Sequence, residues 1–484
     1  MMDSVNLLLD PQVIGIFVAA SAFGLFMGSV PGLSATLATA LLVPMTFFMS
    51  PIAGVTAIIA CAAMAIFAGD ITGAFLRIPG TAASAAYNED SYRLTQMGRL
   101  PDALGASLLA SAIGGIIGSI VLATLSPELA EIALSFSSYE YFWLVLLGLS
   151  AGVLVAPASP FKSLVSLSIG LLLSMVGVAI TGESRMTLGI FDLKGGVSLV
   201  AVLIGAFAVA ELLRNAETVG LPMKRIPPVS GNVLAGQWLK MWIHRVAVIR
   251  GSILGVVVGV LPGAGCDVAA WISYAVSKRF SKTPERFGKG HQEGLIEAGA
   301  SNNSALSGAF VPTLVFGIPG DSLTAIVVGV LMIKGITPGP TVFVDSSALV
   351  YAMFIVFFVA NILMVPFGAA AIYAARPVLS IRDSILYPVM GVALLAGVAV
   401  WLLVKYGYPA APIILGLVLG GMLETHFYSS MLKARGSVWA FFDRPIAGVL
   451  GVITIGVWIM IFVLPYISRA YRQRETAEGY PPVI

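Results

Sequence analysis

Four of the five Pro-Gly pairs of this 484-residue chain break apolar stretches in two matched sets, at Pro31-Gly32, Pro79-Gly80, Pro262-Gly263 and Pro319-Gly320. Proline lacks an amide donor and clashes with the preceding turn, while glycine tolerates dihedrals that other residues avoid. Such a pair therefore ends one half-helix and begins another. The N-terminus of a half-helix presents free N–H groups and about half a unit of positive charge, which suits a carboxylate. Carbonyl ends and nearby hydroxyls suit Na⁺. In hydrocarbon, broken backbone survives only inside protein or along a wet cavity. The pairs lie 48 residues apart in the first half (31 to 79) and 57 in the second (262 to 319). A single break reads as an ordinary kink; two matched pairs read as a duplicated working site.

Polar residues cluster at these breaks. Ser34, Thr36, Thr81 and Ser84 flank the first two, and Gly265 and Ser322 flank the second two. Asp70 and Arg77 are seven apart and would share one face of a continuous helix. A charge at mid-bilayer costs at least about 2.5 kcal/mol, so both are expected to face protein or water. They read as a structural ion pair, with Arg77 as a planar two-donor fork for a cargo carboxylate, or as residues in a lumenal or loop position. Asp267 and Asp321 follow the second-half breaks, where Asp serves as an oxygen ligand, a proton carrier or a helix cap. In Ser301-Asn302-Asn303-Ser304 a cap explains one residue, and two adjacent amides point to ligand or ion contact. Glu293 and Glu297 read equally as partners of Lys289 or Arg286 and as cation ligands. His244, His291 and His426 show no metal-binding spacing, and Cys61 and Cys266 read as small buried residues. The expected cargo site is Pro31, Gly32, Ser34, Arg77, Pro79, Gly80, Thr81, Gly263, Gly265, Asn302, Asn303, Pro319, Gly320 and Ser322. The expected coupling-ion residues are Asp70, Asp267, Asn303 and Asp321, for Na⁺ or H⁺ without any cofactor.

The elements that must hold these residues follow from composition. Hydrophobic residues make up 58% and charged residues 11% of the chain, with a mean hydropathy of +0.96. A soluble domain carries roughly 25% charged residues, so lipid must replace water around most of this one. Apolar blocks of helical span length predict an all-α polytopic membrane protein with about 10 to 14 crossings plus half-helices. Strand alternation with a lipid face is absent, which excludes a transmembrane barrel. No basic segment precedes the first block, where Asp3 and Asp10 stand instead, so it is expected to be retained. Basic clusters at Arg93/Arg99, Lys224–Arg250, Lys278–Lys289 and Arg469–Arg474 are expected to face the cytoplasm, the C-terminus with them. Each abuts an apolar block, which argues against nucleic acid as a partner. The chain divides into a first half, 1–215, a basic connection, 216–247, a second half, 248–466, and a tail, 467–484.

At these motifs the chain resembles the large membrane subunit of the tripartite tricarboxylate transporter family. The first-half match runs through Gly28–Leu33, Leu41–Phe47, Gly69, Ile78–Thr81 and Asp90–Gly98. The second is stronger: Gly259–Gly265, Phe287–Gly290, Glu293-Gly294, Asn302-Asn303, Pro312–Gly320 and Gly335–Pro340. Tyr139–Phe142, Thr181-Gly182, Arg185–Gly189, Phe207–Glu211, Pro412–Gly420, Glu424 and Arg444-Pro445 also fit. The resemblance implies a cation-driven carrier of the bacterial inner membrane, importing di- or tricarboxylates or aromatic acids. It further implies a small membrane subunit and a periplasmic solute-binding protein, with lipids around the chain and room for a homodimer. Two repeats of broken helices fit an elevator-like alternating-access cycle. Asp70, Arg77, Glu297, Asp267 and Asp321 depart from the family pattern in segments expected to touch cargo, so the resemblance does not carry citrate itself over to this chain.

Other function classes fit less well. The chain has no H-E-x-x-H, no G-x-S-x-G elbow and no His pair to act as base, so an enzyme is not expected. The permease of an ATP-driven importer, like a stand-alone carboxylate carrier, is the nearer rival. A channel would normally assemble its pore from several copies, whereas this chain duplicates its own site.

Overall fold

The computed structural model describes residues 2–30, 33–156, 159–179, 183–210, 213, 231–262, 265–379 and 394–477. Pro31, Gly32, Gly263, Thr181, Gly182, Glu211 and Lys224, singled out above, lie outside them, as do residues 216–230 of the connection 216–247.

The first half runs α1 (Met2–Leu8), α2 (Pro11–Gly28), α3 (Ala35–Thr46), α4 (Pro51–Leu76), α5 (Asn88–Gln96), α6 (Ala106–Leu134), α7 (Ser138–Val155), α8 (Pro160–Ser174) and α9 (Leu199–Leu203). The second runs α10 (Gln237–Ile243), α11 (Arg245–Gly259), α12 (Gly265–Phe280), α13 (Gln292–Phe316), α14 (Ser322–Ile333), α15 (Ser347–Leu379), α16 (Leu394–Lys405), α17 (Ala410–Lys433) and α18 (Pro445–Ala477). The strand content among described residues is one two-residue pair, Gly177–Val178 with Ser184–Arg185.

Local chemistry starts these helices where they start. Pro11, Pro51 and Pro160 occupy first-turn positions where a missing N–H costs nothing. Asp10, Ser50 and Ser159, immediately before them, accept from first-turn amides. Ser137 and Glu140 close a capping box on α7.

Six described helices are long and apolar enough to cross a membrane, and α10 with α11, bent by 77°, makes up to seven. α3, α8, α14 and the apolar part of α7 are shorter. A span needs about 20 residues, so six or up to seven described helices qualify by length and composition, against the ten to fourteen crossings expected beside the half-helices. α4 is buried along its whole apolar length, whereas α18 has only 22% of its span buried. α4 is thus an interior helix and α18 a peripheral one.

The two halves pack by the same device. α2 lies on α4 with Gly28 at the crossing, where a Cβ would sit 2.5 Å from the Ala65 carbonyl oxygen. α11 lies on α13 with Gly259 at the crossing, where a Cβ would meet Ala305. One turn earlier, Gly24 faces Cys61 and Gly255 faces Ser301. Small residues four apart let backbones approach where no hydrophobic force separates helix from lipid. The halves also interlock: α6 of the first packs on α13 of the second, and α15 of the second packs on α4 of the first.

Candidate functional site

Each half turns its central helix back in a hairpin tip. α4 ends at Arg77, whose backbone is left-handed (φ 63°) and whose N–H bonds Gly73 at 3.1 Å. α13 ends at Gly317, also left-handed (φ 71°), a conformation that suits glycine and strains arginine. Ile78-Pro79-Gly80 and Ile318-Pro319-Gly320 then fold against their own helices. The Gly80 amide donates to the Gly69 carbonyl at 3.2 Å, and the Gly320 amide to Thr313 Oγ1 at 3.3 Å. A Cβ at Gly80 would lie 2.5 Å from the Gly69 Cα, and one at Gly320 2.7 Å from the Ala309 Cα. Both contacts reach back eleven positions (80 to 69, 320 to 309), so the two tips are counterparts.

Each tip meets the start of the short helix from the other half. Thr36, in the first turn of α3, lies 3.2 Å from Ser322 Oγ at the second tip. Asp267, in the first turn of α12, accepts from the Ala83 amide of the first tip at 3.0 Å, and Trp271 Nε1 donates to the Ala82 carbonyl at 3.1 Å. Each half thus reaches the other's tip with the start of its own short helix. Cys266 donates to Asp321 Oδ2 at 3.5 Å, and a Cβ on Gly265 (φ 57°) would lie 2.7 Å from the Asp321 Cβ. Gly265, Asp267, Asp321 and Ser322 are thus drawn together between the tips.

Some expected residues have structural duties there. Asp321 caps α14 in a capping box with Thr324, its Oδ1 accepting the Thr324 amide at 2.8 Å. Ser34 caps α3 by accepting from Leu37 at 3.1 Å. Thr81 and Ser84 bond each other's amides at 3.1 Å and hold the first tip closed.

The Asp70–Arg77 pairing does not form. The left-handed residue at the end of α4 carries the Arg77 side chain off the face that Asp70 occupies, so their seven-residue spacing no longer aligns them. Arg77 is 56% exposed at its side chain and bonds Glu89 at 2.8 Å. Asp70 is buried, and its carboxylate accepts from Tyr87 at 2.8 Å and from Ser107. Arg77→Lys is therefore expected to leave cargo affinity unchanged in an uptake assay; a severalfold loss would return Arg77 to the site. Arg93, with Arg77 behind it, holds the Glu89 carboxyl below its ordinary range. A depressed carboxylate stabilises above its unfolded value and loses that contribution as pH falls through the folded one. Replacing Arg93 with Gln should move the Glu89 titration, followed by side-chain NMR, back up toward 4.5.

Asn302 and Asn303 are both buried on α13. Asn303 Nδ2 donates to the Ser111 carbonyl at 3.1 Å and to Asn361 Oδ1 at 2.5 Å, tying α13 to α6 and α15. The Oδ1 atoms of both asparagines are buried without a hydrogen-bond partner. Glu297 pairs with neither Lys289 nor Arg286; Arg250 of α11 grips it through two bonds of 2.6 and 2.5 Å. Glu293 accepts from Ser281 at 2.7 Å.

Sequence reasoning passed over several connecting residues. The buried Asp90 accepts from Tyr274 at 2.6 Å and from the amides of Gly288, Gly290 and His291 at 3.1, 2.7 and 2.8 Å. Asp102 joins Arg99, Lys240 and Gln237. Together these carboxylates gather three basic segments at one end of the molecule. Arg185 Nη2 donates to both Glu424 carboxylate oxygens at 2.8 Å, and Arg444 pairs with Glu140 at 3.1 Å. All four stand in motifs matched above, Glu140 and Arg185 in the first half and Glu424 and Arg444 near the end, and opposite charges in separate motifs were the available signal. Among the described residues no three His, Cys, Asp or Glu side chains gather as a metal site.

Comparison with known proteins identifies the family. The family described as "Tripartite tricarboxylate transporter TctA family" matches residues 14–403. An Agrobacterium vitis protein described as "Uncharacterized 52.8 kDa protein in TAR-I ttuC' 3'region" is 34% identical over 480 residues, covering 94% of each chain. A second from that organism, "Uncharacterized protein in TAR-II ttuC' 3'region", is 32% identical over 239 residues, 46% of this chain and 97% of its own. No solved structure matches. With the match spanning most of the chain and both hairpin tips, this protein belongs to the tripartite tricarboxylate transporter TctA family.

Proposed function

We propose that this chain is the large membrane subunit of a binding-protein-dependent secondary carrier that imports di- or tricarboxylates or aromatic acids. One observation carries the reading: the starts of α3 and α12 meet the opposite hairpin tips through Thr36–Ser322 and Asp267–Ala83. Helix starts and folded-back tips, brought together inside protein, offer amides to a carboxylate and carbonyls and hydroxyls to a cation. Cargo contacts are assigned to Pro79, Gly80, Gly265, Pro319, Gly320 and Ser322, with Asp267 and Asp321 beside the coupling ion, Na⁺ or H⁺. Rocking or elevator-like travel of the tips would expose this region to each side in turn. The partners are a small membrane subunit and a periplasmic solute-binding protein, in the bacterial inner membrane. The basic segments that Asp90 and Asp102 gather would face the cytoplasm.

The test is uptake into vesicles holding the chain with its two partner subunits, in the absence of ATP. The solutes are radiolabelled citrate, a dicarboxylate and an aromatic acid. An imposed Na⁺ or H⁺ gradient should drive accumulation of at least one. A strict ATP requirement would instead make the chain an ATP-driven permease, and undiminished uptake without the binding protein would make it a stand-alone carrier.

A further inference from the structure

Asp70 lies on the central helix α4, 3% exposed, with no Lys, Arg or His bonded to it among the described residues. Both its partners are hydroxyls: Tyr87, which follows the first hairpin tip, and Ser107 of α6. A carboxylate so placed, without a cation beside it, is expensive to keep charged. A hydroxyl donates or accepts as required, so the same three groups satisfy the acid and the carboxylate alike. As carboxylate, Asp70 accepts from both; as acid, it donates to Ser107 and accepts from Tyr87. A metal cation would need several oxygens facing one point, and here the hydroxyls already close on both carboxylate oxygens. A proton needs no such space.

We propose that the Asp70 carboxyl is a proton-binding site set between the two halves of the molecule, loading and releasing one proton per cycle. The second observation is Asn302 on α13 of the other half. Its Nδ2 lies 3.5 Å from the Tyr87 hydroxyl, while its Oδ1 is buried and unpartnered. When Asp70 is charged, Tyr87 donates to it. When Asp70 is neutral, it is a weaker acceptor, and a turned Asn302 amide offers Tyr87 another. The adjacent Gly69 carbonyl holds the Gly80 amide of the first tip. The proton is thus felt both by a tip and by the opposite half.

The other ionisable groups near the cluster are engaged elsewhere. On α5, Glu89 holds Arg77 and Arg93, and Asp90 binds the 288–291 loop. Asp102, before α6, holds Arg99 and Lys240, and Glu297 on α13 faces Arg250. Asp267 of α12 accepts from the Ala83 amide, and Asp321 beside it from the Thr324 amide. α2 and residues 347–375 of α15, both packed on α4, contain no charged residue.

The coupling of this proton to cargo rests on the carrier reading above, but its binding does not, and the test needs no cargo. Infrared difference spectra of the full-length protein in lipid vesicles would be followed from acid to alkaline pH in KCl, then in NaCl. Wild type should show the carbonyl stretch of a buried protonated carboxylic acid, lost as pH rises and missing from Asp70→Asn. Tyr87→Phe removes a donor to the carboxylate, so the loss should move toward alkaline pH by about one unit. Spectra of wild type and Asp70→Asn that agree at every pH would overturn the proposal. So would loss of the band on exchanging K⁺ for Na⁺ at fixed pH, which would make the site one for sodium.

Discussion

Replacing Gly80 or Gly320 with Ala is expected to lower vesicle uptake roughly ten- to hundredfold. Each glycine lies flat against its own helix, and an added Cβ would come within 2.5 Å of the Gly69 Cα or 2.7 Å of the Ala309 Cα. Those neighbours are backbone, so the tip itself must lift. Overpacking of this kind costs about 1–3 kcal/mol, and about 1.4 kcal/mol is a factor of ten. Lifting the second tip also draws Ser322 away from Thr36, and lifting the first draws Ala83 away from Asp267. Gly421→Ala on α17 is the control, since a Cβ there meets nothing within 4 Å. If either tip variant transports like the control, that tip does not shape the cargo site.

Removing the Glu297 carboxylate should destabilise the protein by about 3 kcal/mol. Its side chain is fully buried, and Arg250 is only 26% exposed while making two bonds to it. Glu297→Ala strands that guanidinium among α11 and α13. The double variant Arg250→Met with Glu297→Leu fills similar volume without charge and should recover most of the loss. Chemical unfolding in detergent micelles reads both. Equal losses in the single and double variants would show that shape, rather than the ion pair, holds this crossing.

The duplicated breaks were legible in sequence because a Pro-Gly pair in apolar surroundings has few meanings and its recurrence has fewer. Ser34, expected at the cargo site, instead caps α3 by accepting from the Leu37 amide, a role its position beside a break did not reveal. The Asp70–Arg77 relation was misjudged because spacing predicts a shared face only while the helix continues, and α4 turns left-handed at Arg77 itself. Glu297 was matched to basic residues near in sequence, whereas its partner lies 47 positions earlier on a helix that only folding brings beside it.

Composition and pattern alone determined that this chain lives in lipid, is helical, and carries two copies of an interrupted segment. Those follow from local rules: hydropathy, span length, and the backbone limits of proline and glycine. Only the tertiary structure decided which tip meets which helix start, that Asp70 faces hydroxyls instead of a guanidinium, and that Asp90 and Asp102 knit the basic loops together. These contacts join residues far apart in the chain, so their energies depend on how the two halves interlock, and no single segment contains that information.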